Sequence, residues 1–210
     1  MAIYDKVFEI ALPGRIDRLT CLATSSKPIK VTMTNPASIE NVAVLGLGTM
    51  GHGIAQVFAA AGCSVRGYDE DAAARQSTQA RIRANLDQMI DAELVRVSEV
   101  DPLLSRISVH DSEADALDDA HIVIETVRED LQTKQALLKR IEGLIPEDVI
   151  ITSNTSSYPM SRMAAGMQVP QRALNAHWFN PPHIIPLVEI VPGEKTAADV
   201  VNTAVAFFRR

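Results

Sequence analysis

Only two of the 210 residues are cysteine, Cys21 and Cys63, which excludes a disulfide framework, and neither sits at metal-ligand spacing. No metal site is therefore expected. No apolar run approaches the roughly 20 residues that cross a bilayer, so a membrane span is not expected. Basic residues number 20 against 26 acidic ones, for a net charge of −6. That balance removes the electrostatic case for nucleic-acid binding or for a basic face on a membrane. A secretory leader is not expected either, because Asp5 and Glu9 interrupt the start and no apolar core follows. Internal repeats and low-complexity tracts are also missing. What remains, 47% hydrophobic and 22% charged, is the composition of an ordinary globular protein, for which the cytoplasm is the default location.

What is present begins at Val42-Ala43-Val44-Leu45, an apolar run that leads directly into Gly46-Leu47-Gly48-Thr49-Met50-Gly51. Four apolar residues before the glycines read as a central parallel strand. Met50, Ile54, Val57, Phe58 and Ala61 then recur at helical spacing and share one face. In such a strand–turn–helix, Gly46 permits the tight turn, Gly48 lets backbone approach a pyrophosphate, and Gly51 lets helix and strand pack closely. The helix N-terminus offers its free N–H groups to phosphate. A second apolar run, 63–68, ends at Asp69, about twenty residues on, where a carboxylate meets adenosine ribose hydroxyls. Glu70 and Asp71 follow, so a 2′-phosphate would meet clustered negative charge and NAD is favoured over NADP.

Residues 1–38 carry no sustained period and read as a mobile N-terminal extension. From 39 onward strand and helix alternate. Helices are expected around Ile82, Leu86, Met89 and Ile90, near 98–104, and through Lys134, Leu137, Leu138, Ile141 and Leu144. Strands are expected at 107–110, 121–125, 149–152, 173–176 and 187–191. This alternation predicts an α/β domain of the Rossmann type over 39–210: a doubly wound, mostly parallel sheet with helices on both faces and ligands at the carboxyl ends of its strands. The last helix carries an apolar stripe, Val200, Val201, Ala204, Val205 and Phe208, with no later element to cover it, which suggests a chain that continues or finds a partner.

Three clusters fall at predicted strand ends: Glu125 to Glu129 with Lys134, Ser153-Asn154-Thr155-Ser156-Ser157, and His177-Trp178-Phe179-Asn180-Pro181-Pro182 followed by Glu189. Oxidising an alcohol requires a base for its hydroxyl proton, and histidine titrates near neutrality. A carboxylate on the other ring nitrogen holds the tautomer, so His177 and Glu189 would serve if adjacent strands bring them together. Each residue also has a plain reading: His177 as a structural histidine, Asn154 and Ser156 as helix caps, Glu125 as a strand end, Lys134 as a solvated helix residue. His52, His110 and His121 read as surface or strand-end residues, and His183 as a backup base.

Taken together, and in this order, these motifs resemble the NAD-binding domain of the 3-hydroxyacyl-CoA dehydrogenase family from about Ile39 to Arg210. The resemblance implies that Gly46, Leu47, Gly48, Thr49, Met50, Gly51 and Asp69 hold the adenosine diphosphate half of NAD. It implies that Glu129, Lys134, Asn154, Ser156 and Asn180 line the nicotinamide side, with Ser156 also touching the substrate oxygen. His177 matches the general base and Glu189 its orienting acid. The implied reaction is reversible oxidation of an L-3-hydroxyacyl-CoA to the 3-ketoacyl-CoA, a step of fatty acid metabolism. Two departures keep other readings open. The stretch 85–93 is acidic and poor in lysine where relatives meet CoA, which suits a dehydrogenase of free 3-hydroxy acids such as gulonate or carnitine. The family's helical C-terminal domain, which completes the pocket and the homodimer, is not in this chain, so a nucleotide-binding module without activity of its own is the third reading.

Overall fold

The computed structural model describes residues 35–209. Most of the predicted extension lies outside the described residues. Its last part, Pro36–Ser38, forms a single 3-10 turn with Asn35 Oδ1 accepting from the Ala37 amide.

Strands β1 (Asn41–Leu45), β2 (Ser64–Tyr68), β3 (Ile107–Val109), β4 (Ile122–Glu125), β5 (Ile150–Ser153), β6 (Ala173–Trp178) and β7 (Val188–Pro192) form one sheet in the order β3-β2-β1-β4-β5-β6-β7. All neighbours run parallel except β6 and β7, which are antiparallel. The strand order reverses between β2–β1 and β1–β4, and the crevice at such a switch point takes the ligand. The helices are α1 (Gly51–Ala60), α2 (Ala72–Asp91), α3 (Val97–Leu104), α4 (Glu113–Leu117), α5 (Leu131–Ile141), α6 (Met160–Met163) and α7 (Ala198–Phe208).

Period-2 alternation along the central strands divides the core. Val42 and Val44 face one cluster with Ile54, Ile82, Leu86, Trp178 and Phe207; Ala43 and Leu45 face another with Leu117, Leu138, Ile141 and Met163. Helices therefore cover both faces, as the sequence predicts. Local chemistry sets their starts: Asp71 caps α2 by accepting from the Ala73 amide, and Asp130 caps α5 by accepting from the Thr133 amide.

Several expectations are corrected. Helices α4 and α6 fall in stretches with no predicted element; at five and four residues they are too short to show a helical period. Ala61 and Leu144 lie beyond their helices and are exposed. The apolar stripe of α7 is not left uncovered. Of its residues Val200, Ala204 and Phe208 are buried and Val201 and Val205 half-buried; beside them Phe207 stacks on Phe58 with centroids 5.6 Å apart, and Phe208 meets Trp178 edge-on at 5.9 Å. Earlier elements, invisible to a linear reading, supply that cover. Cys63 is buried. No described helix is long and apolar enough to cross a membrane.

Candidate active site

At the end of β1 the chain turns through Gly46 at φ +93°, where a Cβ would lie 2.7 Å from the backbone of Thr126. A Cβ on Gly51 would stand 1.8 Å from the Gly46 carbonyl oxygen, so helix and turn touch through bare backbone. Gly48 is different: a Cβ there would meet nothing within 4 Å. Packing makes no demand for glycine at 48, and the open space beside it is what a pyrophosphate approaching the backbone requires. The loop borders a groove of about 390 Å³ lined by Gly46, Gly48, Tyr68, Asp69, Thr126 and Arg128. Asp69 sits on its wall, accepting from the Leu47 amide at 2.6 Å and from the Asp71 amide at 2.9 Å. These features fit the adenosine diphosphate half of NAD, and Glu70 lines the same groove.

Two residues that the sequence did not single out hold this loop. Thr126 Oγ1 donates to the Gly46 carbonyl at 2.6 Å. Arg81, from α2, donates to the Leu47 carbonyl at 2.6 Å, to Ala74 O at 3.0 Å and to Gly48 O at 3.2 Å. The only linear signal for Arg81 is a charged residue immediately before the buried Ile82. Arg81→Met removes the donors bracing the turn and is expected to weaken NAD binding about tenfold, as a titration of bound NADH fluorescence would read.

His52, in the first turn of α1, is half-buried, with Nδ1 2.7 Å from the Gly48 carbonyl and so placed to donate to it. Burial lowers its pKa, the Gly48 bond partly opposes this, and the Arg81 charge lowers it further. His183, near Asn85 and facing His52, is lowered by burial and then by the His52 charge. Both rings bind a proton less readily folded than unfolded. Their contribution is therefore complete above the unfolded value near 6.5 and is lost as pH falls toward the lowered folded values. Thermal melts from pH 7 to 5 are expected to show this loss, and His52→Gln with His183→Gln to flatten it. His110 pairs with Ser108 at 2.9 Å, and His121 Nδ1 accepts from the Glu40 amide at 3.1 Å, so both are structural.

The ends of β4 and β5 are joined by a buried charge network. Lys134 is 1% exposed, not solvated, and its Nζ lies 2.7 Å from Glu125 Oε1 and 3.2 Å from Glu129 Oε2. Glu125, fully buried, also accepts from the Val127 amide at 2.7 Å and from Ser153 Oγ at 2.5 Å. Thr155 Oγ1 donates to Glu129. Burial alone would raise the Glu129 carboxyl pKa, but the Thr155 hydroxyl and the Lys134 ammonium outweigh it and hold the group below its ordinary value. Asn154 caps no helix; its Oδ1 accepts from the Trp178 amide at 2.8 Å and ties β5 to β6. Ser156 is exposed, and α6 has no side-chain cap.

His177 and Glu189 are direct cross-strand partners on β6 and β7. Their side chains meet with Nδ1 2.9 Å from Glu189 Oε2. The carboxylate holds the proton on Nδ1 and leaves the Nε2 lone pair free, the state a general base needs. The ring is steadied by Phe179, 4.8 Å between centroids. Ser156, Ser157, Tyr158, Asn175, His177, Glu189 and Val191 line an open pocket of about 200 Å³. Asn180 is exposed just past β6. Among the described residues no group of three metal-ligating side chains converges.

Residues 41–210 match the family model described as 3-hydroxyacyl-CoA dehydrogenase, NAD binding domain. The chain belongs to the 3-hydroxyacyl-CoA dehydrogenase family. It is 36% identical over 79% of its length to 5-formyl-3-hydroxy-2-methylpyridine 4-carboxylate 5-dehydrogenase of Mesorhizobium japonicum, covering 52% of that protein. It is 36% identical over 84% of its length to L-carnitine dehydrogenase of Streptomyces coelicolor, covering 54%. The crystal structure of (S)-3-hydroxybutyryl-CoA dehydrogenase from Ralstonia eutropha superposes with a TM-score of 0.78 at 36% identity, covering 82% of this chain and 60% of that one. The chain thus spans about half the length of the curated relatives it matches. The glycine turn and the His177–Glu189 pair both lie toward the carboxyl ends of the parallel strands, at β1 and β6.

Proposed function

We propose that this domain serves an NAD-dependent dehydrogenase that interconverts an L-3-hydroxyacyl-CoA and its 3-ketoacyl-CoA. The observation that carries the reading is the 2.9 Å contact between His177 Nδ1 and Glu189, at the same carboxyl end of the parallel strands as the open Gly48 turn. Bound NAD supplies the hydride acceptor. His177 Nε2 takes the substrate hydroxyl proton as the carbinol carbon is oxidised, and the Glu189 carboxylate stabilises the imidazolium that forms. In the reverse direction the imidazolium returns that proton to the new alkoxide oxygen. Ser156 lines the same pocket and would donate to the substrate oxygen. Glu129, Lys134, Asn154 and Asn180 would hold the nicotinamide half, Lys134 and Asn154 by fixing the strand ends beneath it.

A second reading has its own support. On α2 and just beyond it, Asp87, Asp91 and Glu93 are exposed, and Arg83 on the same helix is paired with Asp87 at 3.0 Å. CoA phosphates gain little from such a surface, so a free 3-hydroxy acid is the alternative substrate. NADH formation from 3-hydroxybutyryl-CoA and from 3-hydroxybutyrate, run side by side, separates the two. Formation from neither, in the protein carrying this domain, would leave a nucleotide-binding module.

A further inference from the structure

Between the ends of β1 and β4 lies the crevice at the switch point, and Arg128 stands on its β4 side. The two sides come into direct contact. A Cβ on Gly46 would stand 2.7 Å from the Thr126 carbonyl carbon and 2.9 Å from the Val127 nitrogen. Arg128 is the next residue after that contact, and it lines the same groove as Gly46 and Gly48. The charge network at the end of β4 joins Glu125, Glu129 and Lys134 but does not include Arg128. Arg128 is exposed, and its one hydrogen bond among the described residues is a long one, from Nη2 to Thr133 Oγ1 at 3.3 Å. A guanidinium carries five N–H donors, so most of these are uncommitted.

Five charged side chains line the groove: Asp69, Glu70, Glu113, Arg128 and Arg140. Arg140 is held by Glu113 in a two-pronged pair at 2.8 and 2.7 Å. The acids next to Arg128 in sequence are engaged elsewhere, Glu129 with Lys134 and Thr155, and Asp130 with the Thr133 amide and hydroxyl. A diphosphate entering the groove therefore meets the Asp69 and Glu70 carboxylates and one guanidinium not already paired, that of Arg128. The N-terminus of α1 offsets only about half a charge. We propose that Arg128 is the counterion of the cofactor's diphosphate, donating N–H to phosphate oxygens from the β4 side while the glycine turn lies against them from the β1 side. Arginine suits the task because its planar fork matches two phosphate oxygens and stays charged at any working pH. The inference rests on the family's cofactor and not on the substrate reading above.

The test reads binding rather than turnover: Kd for NADH by its fluorescence, and for ADP-ribose and adenosine by displacement of NADH. Arg128→Met is expected to weaken NADH and ADP-ribose about tenfold, the effect of a charge-assisted hydrogen bond, and to leave adenosine within about twofold. Adenosine has no phosphate, so its retention also reports an intact groove. Arg128→Lys keeps the charge and is expected to stay within about threefold of the wild type, with Arg128→Glu weaker than Arg128→Met. Raising ionic strength from about 0.01 M to 1 M shortens the Debye length from about 30 to 3 Å and is expected to weaken NADH more in the wild type than in Arg128→Met. ADP-ribose within about twofold in Arg128→Met would overturn the proposal. Equal losses for ADP-ribose and adenosine, or an unchanged salt dependence, would overturn it too. The expected ratios in a protein that oxidises no hydroxy acid would sink the dehydrogenase reading and keep this one; turnover with an indifferent Arg128→Met would do the reverse.

Discussion

His177→Gln is expected to lower kcat/KM for the hydroxy substrate by about 10²- to 10⁴-fold, the range that a positioned proton acceptor contributes. Glutamine keeps a polar group of similar reach, but its amide has no lone pair basic enough to take a hydroxyl proton. NAD affinity is expected to change by no more than about twofold, because the glycine turn, Asp69 and Arg81 proposed to hold the nucleotide lie at the ends of β1 and β2 and on α2, three or more strands away from β6 in the sheet. Glu189→Gln is expected to fall in between: the ring stays in place across the β6–β7 pair, but the charge that favours its protonated form is gone. Steady-state rates with a parallel NADH titration check all of this. A His177→Gln protein that keeps full turnover would remove this imidazole from the reaction.

Lys134→Met is expected to destabilise the fold by about 3–5 kcal/mol, the usual consequence of stranding one member of a buried ion pair. Glu125 would keep its donors from the Val127 amide and Ser153 Oγ, yet its carboxylate would sit fully buried with no cation. For a domain of this size such a loss shifts the melting temperature by roughly 10 °C, since each kcal/mol moves it about 2–4 °C. Glu125→Gln combined with Lys134→Met removes both charges and is expected to recover most of that shift, because a neutral pair of similar volume costs little. Calorimetric melts of the two single variants and the double variant give the coupling directly. Additive losses would mean that the ion pair contributes nothing beyond its parts.

How much was legible in the chain depended on the range of the interaction. The strand–glycine–helix unit from 42 to 60, the carboxylate at 69 and the alternation of strands and helices are local, and local sterics and periodicity report them faithfully. The pairing of His177 with Glu189 was suspected from chemistry, but the direct register of β6 against β7 is a property of two strands folded together. Lys134 shows the limit most plainly. Its place in the linear pattern suits a solvated helix residue, yet the turn from β4 into α5 folds it between the Glu125 and Glu129 carboxylates and buries it. The same is true of α7, whose stripe looked bare until Phe58 and Trp178 arrived from distant parts of the chain.

Sequence by itself determined that an NAD-type cradle exists here, because the turn at Gly46 and the bare backbone at Gly48 and Gly51 depend on residues a few positions apart. Tertiary structure alone decided which groups act at the sheet's edge and which only hold it. Arg81 reached the glycine loop, Asn154 tied two strands, and Lys134 was buried against two carboxylates. The reason is physical: a side chain's role follows from what surrounds it, and in a parallel sheet the neighbours of a strand end come from segments tens of residues apart.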